Sequence, residues 1–340
     1  MTDAPNGPID LLAVNATSPL LAPQLQRHFR VHDRLHLQAD AAAFDAVAPH
    51  IRAISASGES RVDAALIARL PALEIISVMG VGYDGIDVAA ARARGITVTH
   101  TPDVLNDDVA DLALALMLAT TRRIPQADAH VRSGRWAADG PMPLARKLSG
   151  SRLGLLGIGR IGQAIAQRAQ AFGMTVAYHA RSRRAELPWD FEADAAALAA
   201  RSDLLVVITP GGAATRHLVD ARVLAALGRS SAAGGILINV ARGSVVDEAA
   251  LIDALERGVI PAAGLDVFAD EPNVPERLRA LPQVVLSPHI GSATQDTRQA
   301  MADLTLANLA AHFAGQVLPS PVPECRDPAA ANPEAAPRAV

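Results

Sequence analysis

Ten residues constrain the fold of this chain more than any others: Leu153-Gly154-Leu155-Leu156-Gly157-Ile158-Gly159-Arg160-Ile161-Gly162. An apolar run enters a Gly-x-Gly-x-x-Gly pattern at Gly157, Gly159 and Gly162. Gln163 to Phe172 then continue at helical periodicity. The order predicts strand, tight turn, helix, which is what a dinucleotide pyrophosphate needs. The first glycine allows the turn, the second lets phosphates approach the backbone, and the third lets helix and strand pack closely. The N-terminus of the helix adds N–H groups and a positive dipole end. An ordinary glycine-rich βα turn shares the glycines but not the correct pattern on both flanks. Cofactor contacts are therefore expected at Gly157, Gly159, Arg160, Ile161 and Gly162. The motif starts near residue 150, so a segment of domain size precedes it.

That segment reads as α/β. Residues 9–15 (IDLLAVN), 51–57 (IRAISAS) and 74–79 (EIISVM) are short buried strands. Helical patterns lie between them, such as Val62 to Leu70 ended by Pro71. Strands alternating with helices imply a parallel sheet. Gly80-Val81-Gly82-Tyr83-Asp84-Gly85-Ile86-Asp87 follows the third strand, at the carboxyl end where such sheets bind ligands. The N–H groups of Val81 and Gly82 could cradle a carboxylate, or the loop could be a flexible turn. Residues 97–101 (TVTHT) form another strand, closed by Pro102. Asn106 to Thr121 is a long helix with acidic residues in its first turn, and residues 124–133 continue as helix. Residues 134–147 form a Gly/Pro-rich connection carrying Trp136, which reads either as an interface anchor or as local packing.

Past the glycine motif, Gly173 caps the helix, and residues 174–180 (MTVAYHA) form the second strand of a nucleotide domain. An NAD binder places an Asp or Glu about 20 residues beyond the motif to hold the ribose 2′-OH. Here His179 takes that position, and Arg181-Ser182-Arg183-Arg184 follows. Guanidinium groups suit a 2′-phosphate, so NADP is favoured over NAD, with contacts expected from Arg181, Ser182 and Arg183. Residues 204–209, 235–240, 263–268 and 284–287 are further strands. Thr209 and Pro210, Val240 and Ala241, and Gly291 lie along the edge on which the dinucleotide would rest. Thr294 to Gly315 is a closing helix, and the Pro- and Ala-rich end reads as a tail.

Four side chains sit just past strand ends in this half: Arg242, Asp266, Glu271 and His289. Hydride transfer to a keto acid needs a cation to hold the carboxylate and polarise the carbonyl. It needs an acid for the oxygen, and a partner that keeps that acid protonated. Arg242 suits the first role by its bidentate fork, His289 the second, and Glu271 the third. Asp266 could bond a nicotinamide carboxamide or a ribose.

Composition narrows the partners. With 340 residues, two domains of ordinary size are expected. Hydrophobic residues make up 50% of the chain and charged residues 19%, a core-forming balance. A net charge of −4 gives no basic surface for nucleic acid or anionic membrane. The start MTDAPNGPID lacks the layout of a signal peptide, and the most apolar helix is too short to span a bilayer. Cys325 is the only cysteine, which removes internal disulfides and cysteine-based metal sites. No metal is expected, and a cytoplasmic setting fits.

The motifs VGYDGID, GLLGIGRIG, NVARGSVVDEAAL, AGLDVFADEP and SPHIGSAT, in this order and spacing from about Ile51 to Phe313, resemble the D-isomer-specific 2-hydroxyacid dehydrogenase family. The resemblance implies that Arg242, Glu271 and His289 are catalytic and that Asp266 lies on the nicotinamide side. It implies a carboxylate-binding loop at Val81 and Gly82. The stretch VLNDDVADLALALMLATTRRI, the RSRR run and MADL are most similar to NADPH-dependent glyoxylate/hydroxypyruvate reductases and plant hydroxyphenylpyruvate reductases. Those are dimers with a helix and loop crossing to the partner, and in some a Trp matching Trp136 reaches the neighbouring active site. Formate dehydrogenases of the superfamily resemble the chain less, since they carry Gln where Glu271 stands. The segment before Ile51 matches only in pattern.

The expected fold is two Rossmann-like α/β domains with parallel sheets and an active site in the cleft between them. The substrate-binding domain, flavodoxin-like and discontinuous, takes residues 1–103 and 291–320. The NAD(P)-binding domain takes 104–290, and 321–340 form a flexible tail. The expected reaction is NADPH-dependent reduction of glyoxylate or hydroxypyruvate to the D-2-hydroxy acid, with Arg242 and His289 touching substrate beside Val81, Gly82 and Trp136. Hydroxyphenylpyruvate and 2-ketogluconate are alternative substrates, the former mildly disfavoured by 3% aromatic residues. A dinucleotide-sensing corepressor is the alternative of another class. It would not require Arg242, Glu271 and His289 together.

Overall fold

The computed structural model describes residues 8–34 and 40–326. The chain divides into two units, one of residues 1–104 and 295–340, the other of residues 105–294. Each is built on a single sheet whose strands are all parallel, five in the first and seven in the second.

The first sheet holds β1 (Ile9–Ala13), β2 (Phe29–Asp33), β3 (Ile51–Ser57), β4 (Ile75–Met79) and β5 (Thr97–Thr99), in the order β2-β1-β3-β4-β5. This is the flavodoxin-like strand order. The inner strands are buried on both faces. Every residue of β4 is buried, which is why IISVM reads as an unbroken apolar run and not as an alternation. The helix Gln295–Phe313 belongs to this unit and packs on β4. Buried polar groups fix it there. The Ser77 hydroxyl donates to the Thr305 carbonyl, and Asn308 Nδ2 donates to Ser320 Oγ at 2.8 Å.

Residues 321–326, expected as the start of a flexible tail, include contacts with the first sheet. Pro321 bridges Thr99, Val322 is 0% exposed, and Pro323–Cys325 form a 3-10 turn. The Tyr83 hydroxyl donates to Glu324 Oε2 at 3.0 Å, and burial together with that carboxylate pushes the phenol up to about 12. Composition pointed to a frayed end, but the Pro321 bridge, the Val322 N–H bonded to the Val98 carbonyl and the buried Val322 side chain tie the start of this stretch to β5. The rest of the expected tail, 327–340, lies outside the described residues.

The second sheet holds β6 (Arg152–Leu156), β7 (Thr175–His179), β8 (Asp190–Phe191), β9 (Leu204–Val207), β10 (Ile236–Asn239), β11 (Ala263–Leu265) and β12 (Val284–Leu286), in the order β12-β11-β10-β9-β6-β7-β8. Counted from β6, the first strand of this unit, this is the Rossmann order with one added strand. The direction of strand addition reverses between β6 and β9. Leu156, Leu205, Val207, Leu237 and Leu265 belong to one core cluster with the helices Ala195–Arg201, Ala221–Ala226 and Glu248–Glu256. That core leaves the carboxyl ends of the strands as the edge where loops carry side chains.

Candidate active site

The glycine loop sits at the switch point. Gly157 has φ +110°, and a Cβ there would lie 2.7 Å from the Ile208 carbonyl oxygen on the neighbouring strand end. A Cβ on Gly162 would lie 2.6 Å from the Gly157 carbonyl oxygen. Both positions are closed to any side chain. Gly159 differs, because a Cβ there meets no atom within 4 Å. The first and third glycines are thus explained by the protein alone, while the second faces open space. The helix Arg160–Ala171 starts at Gly159 without a side-chain cap. A phosphate would complete such an N-terminus. Arg160 is exposed, Ile161 half-buried and Thr209 half-buried, with Pro210 exposed beyond it.

At the end of β7, His179 occupies the place of the expected acid, and its Nδ1 lies 3.1 Å from the Glu192 carbonyl oxygen. The following turn is braced from below. The fully buried Tyr178 hydroxyl accepts from the Arg184 N–H at 2.8 Å. Arg184 itself pairs with Glu186 at 2.6 Å. Arg181, Ser182 and Arg183 are exposed. Neither Arg181 nor Arg183 forms a hydrogen bond or ion pair among the described residues.

The four side chains past the strand ends are held by one set of interlocked loops. His289 and Glu271 are paired, Nδ1 to Oε2 at 2.7 Å. The other carboxylate oxygen, Oε1, accepts from the Phe268 N–H at 2.8 Å, which fixes the orientation of the carboxylate. His289 has φ +53°, an uncommon conformation for a non-glycine residue. Its N–H donates to the Asp266 carbonyl at 2.8 Å.

Asp266 is 1% exposed. One carboxylate oxygen accepts from Ser287 Oγ at 2.7 Å and from the Ile290 N–H at 2.9 Å, and the other accepts from the Gly291 N–H at 2.9 Å. Burial raises its pKa, while these donors and the charge on His289 oppose the rise. The structure thus shows Asp266 clamping the loop that carries His289.

Arg242 follows β10. Its Nη1 donates to the Ala241 carbonyl at 2.8 Å. The next residue, Gly243, lies so close to the Phe268 carbonyl that no Cβ could fit. The loop of Arg242 therefore rests directly on the loop that ends at Glu271. Val240 and Ala241 are buried beneath it, and Gly291 is buried beside Asp266.

Sequence reasoning did not single out three residues that hold these loops. Asn239, 1% exposed, brackets the Arg242 segment. Ser287 donates to Asp266, and Glu248 accepts from the Ala269 N–H at 3.2 Å. The only signal for them was a polar residue at the end of an apolar strand or in the first turn of a helix.

The remaining expected residues lie elsewhere. Val81 and Gly82 are in the first unit, just past β4. There His100 Nδ1 lies 3.0 Å from the Val81 carbonyl oxygen, and the Tyr83 ring stands edge-on to His100. Trp136 is the second residue of the short helix Arg135–Asp139 and is 62% exposed.

Residues 114–291 match the model of the D-isomer specific 2-hydroxyacid dehydrogenase NAD binding domain. The chain is 48% identical over 272 residues to glyoxylate/hydroxypyruvate reductase A of Arabidopsis thaliana, covering 80% of this chain and 85% of the relative. It is 43% identical over 323 residues to hydroxyphenylpyruvate reductase of Plectranthus scutellarioides, covering 92% and 99%. Among solved structures, the NADPH-dependent glyoxylate/hydroxypyruvate reductase of Sinorhizobium meliloti, in complex with NADP and malonate, superposes with a TM-score of 0.87 at 45% identity, covering 94% of this chain and 98% of that one. Parallel sheets in both units, the glycine loop at the switch point and these matches lead to one conclusion: the chain belongs to the D-isomer-specific 2-hydroxyacid dehydrogenase family.

Proposed function

We propose that this chain reduces small 2-keto acids, glyoxylate or hydroxypyruvate, to the D-2-hydroxy acid, with NADPH as the reductant. The observation that carries the reading is the 2.7 Å pair between His289 Nδ1 and Glu271. With Nδ1 held by the carboxylate, the pair supports Nε2 as the atom that delivers the proton, with Glu271 stabilising the imidazolium before the proton is given up. Arg242 holds the substrate carboxylate by its planar fork and polarises the carbonyl. Val81 and Gly82 offer backbone N–H groups to the same class of anion.

NADPH when bound supplies the hydride. On the chain's side, Gly157, Gly159 and Gly162 keep the backbone open to the pyrophosphate, with Arg160, Ile161, Thr209, Pro210, Val240, Ala241 and Gly291 around them. Arg181, Ser182 and Arg183 take the 2′-phosphate. The relatives that act on glyoxylate and hydroxypyruvate, and the NADP-bound structure, support this choice of substrate and cofactor.

A homodimer is part of the proposal. The helix Ile124–Arg132 has no buried residue, and Ile124, Val131, Trp136 and Leu144 are exposed large apolar side chains on the same stretch. No helix among the described residues is long and apolar enough to cross a membrane, and the cytoplasm is the compartment proposed on the sequence.

The test is steady-state turnover of glyoxylate, hydroxypyruvate, hydroxyphenylpyruvate and 2-ketogluconate with each cofactor, on wild type and His289→Ala. Turnover of the two small acids with NADPH, reduced by roughly 10²–10⁴-fold in the variant, is expected. A chain that binds the dinucleotide and turns over none of these acids would be a sensor, and the proposal would fail.

A further inference from the structure

Asn239 is the last residue of β10 and is 1% exposed, so both ends of its amide must find partners inside the protein. Both partners belong to the loop that carries Arg242. Oδ1 accepts from the Ala241 N–H at 3.1 Å, and Nδ2 donates to the Arg242 carbonyl at 3.1 Å. The two bonds grip the Ala241–Arg242 segment at both ends. Between them lies the Ala241 carbonyl, the group on which the Arg242 guanidinium rests at 2.8 Å. The Asn239 carbonyl also accepts from the Asp266 N–H at 2.9 Å. Asn239 thus joins the Arg242 loop to the strand end from which the His289 loop is clamped.

We propose that Asn239 is a positioning residue for Arg242. Its side-chain amide sets the two peptide groups around Ala241, and the carbonyl between them aims the guanidinium. This rests on the reading that Arg242 holds the substrate carboxylate. Neither a hydrophobic side chain nor a carboxylate can replace the amide. An aliphatic group leaves a buried N–H and a buried carbonyl unpaired, and an ionised aspartate sets an acceptor against the Arg242 carbonyl.

The test is a double-mutant cycle on the full chain with glyoxylate and NADPH. Asn239→Asp, Asn239→Ser and Arg242→Ala are made singly, and each Asn239 change is combined with Arg242→Ala. Asn239→Asp should lower kcat/KM for the keto acid by about ten- to a hundredfold, the scale on which misplacing a binding group acts. The dissociation constant for NADPH should change several-fold less than kcat/KM does, since Gly157, Gly159, Gly162 and the turn with Arg181 and Arg183 are untouched. In the Arg242→Ala background the same change should cost little, because its effect passes through the guanidinium. Serine offers one shorter hydroxyl where the amide offers two separate atoms, so it keeps at most one of the two bonds in place and should fall between asparagine and aspartate. Full additivity of the two changes would overturn the proposal. So would failure of both Asn239 variants to fold, which would assign the amide to stability and not to Arg242. If Arg242→Ala itself leaves kcat/KM unchanged, the functional reading of Arg242 fails, an outcome distinct from additivity.

Discussion

His179 stands at the end of β7, in the sequence position where an NAD binder carries the Asp or Glu for the ribose 2′-OH, with its Nδ1 beside the Glu192 carbonyl. Two residues further on, Arg181 and Arg183 are exposed and make no ion pair among the described residues, unlike Arg184, which is tied to Glu186. Two unneutralised guanidinium groups next to a missing acid favour a dianion over a hydroxyl pair. Replacing both by alanine is expected to raise KM for NADPH at least about tenfold, the lower end for charge-assisted hydrogen bonds at an exposed site, and to change KM for NADH by less than about twofold. Parallel titrations with the two cofactors measure this, and an equal response to both would remove the 2′-phosphate assignment. These arginines were legible in the sequence because their signal is local: an expected acid absent, and bases in its place. Asn239 was not legible. Its role depends on two backbone groups that come into reach only once β10 has ended and the chain has turned.

Two strands of the second unit, β6 and β9, are joined at their amino ends by one carboxylate. Asp203, at the start of β9, accepts from the Arg152 N–H at 2.8 Å and from that guanidinium at 2.9 and 3.0 Å, and Arg146 lies 3.0 Å away. The Arg152 guanidinium beside it holds the Asp203 carboxyl down to about 2, below the usual 3.8. A depressed carboxylate contributes its stability above the unfolded value and loses it as pH falls from about 4 toward about 2. The shift corresponds to about 2 kcal/mol. Asn at 203 should therefore lower the melting temperature at neutral pH by about 4–8 °C, on the scaling for a unit of this size. It should also flatten the acid limb between about pH 4 and 2. Calorimetry on both proteins across that range checks it, and a constant difference down to pH 2 would show that the ion pair contributes nothing. At this scale the inner strands and the edge strands β5 and β12 were readable, but the edge strands β2 and β8 were not. β2 (FRVHD) presents Arg30 and His32 to Asp10, and β8 has two residues. Neither carries an apolar run: β2 buries only Phe29, and β8 buries neither of its residues. The segment 321–326 was hidden for the converse reason, since the Pro321 bridge and the buried Val322 outweigh a composition that looks like a tail.

Across the whole molecule, the stretch from Ile124 to Leu144 is the part whose own unit does not account for its sequence. A surface helix normally buries one apolar stripe, yet Ile124–Arg132 buries none. Val131 is 56% exposed, Trp136 62% and Leu144 fully exposed. The local contacts on this stretch, Arg132 with Asp128 and Arg135 with Asp139, are exposed i,i+4 pairs worth about 0.3–0.5 kcal/mol each. They hold the helices in shape without covering the apolar side chains. Burying three or four such side chains against a second copy would contribute about 1.5–3 kcal/mol apiece before the cost of association. A two-fold interface uses the same patch twice, which doubles the effect of each substitution. Val131→Glu with Trp136→Glu places four charges in such an interface. The double variant is expected to sediment as a single chain at micromolar concentrations where wild type sediments as a dimer. Its far-ultraviolet circular dichroism should be unchanged, since neither side chain is in a core. A wild-type chain that sediments as a monomer would remove the interface altogether. A dimer that survives both charges would place the contact on another surface and leave Trp136 without a role in assembly.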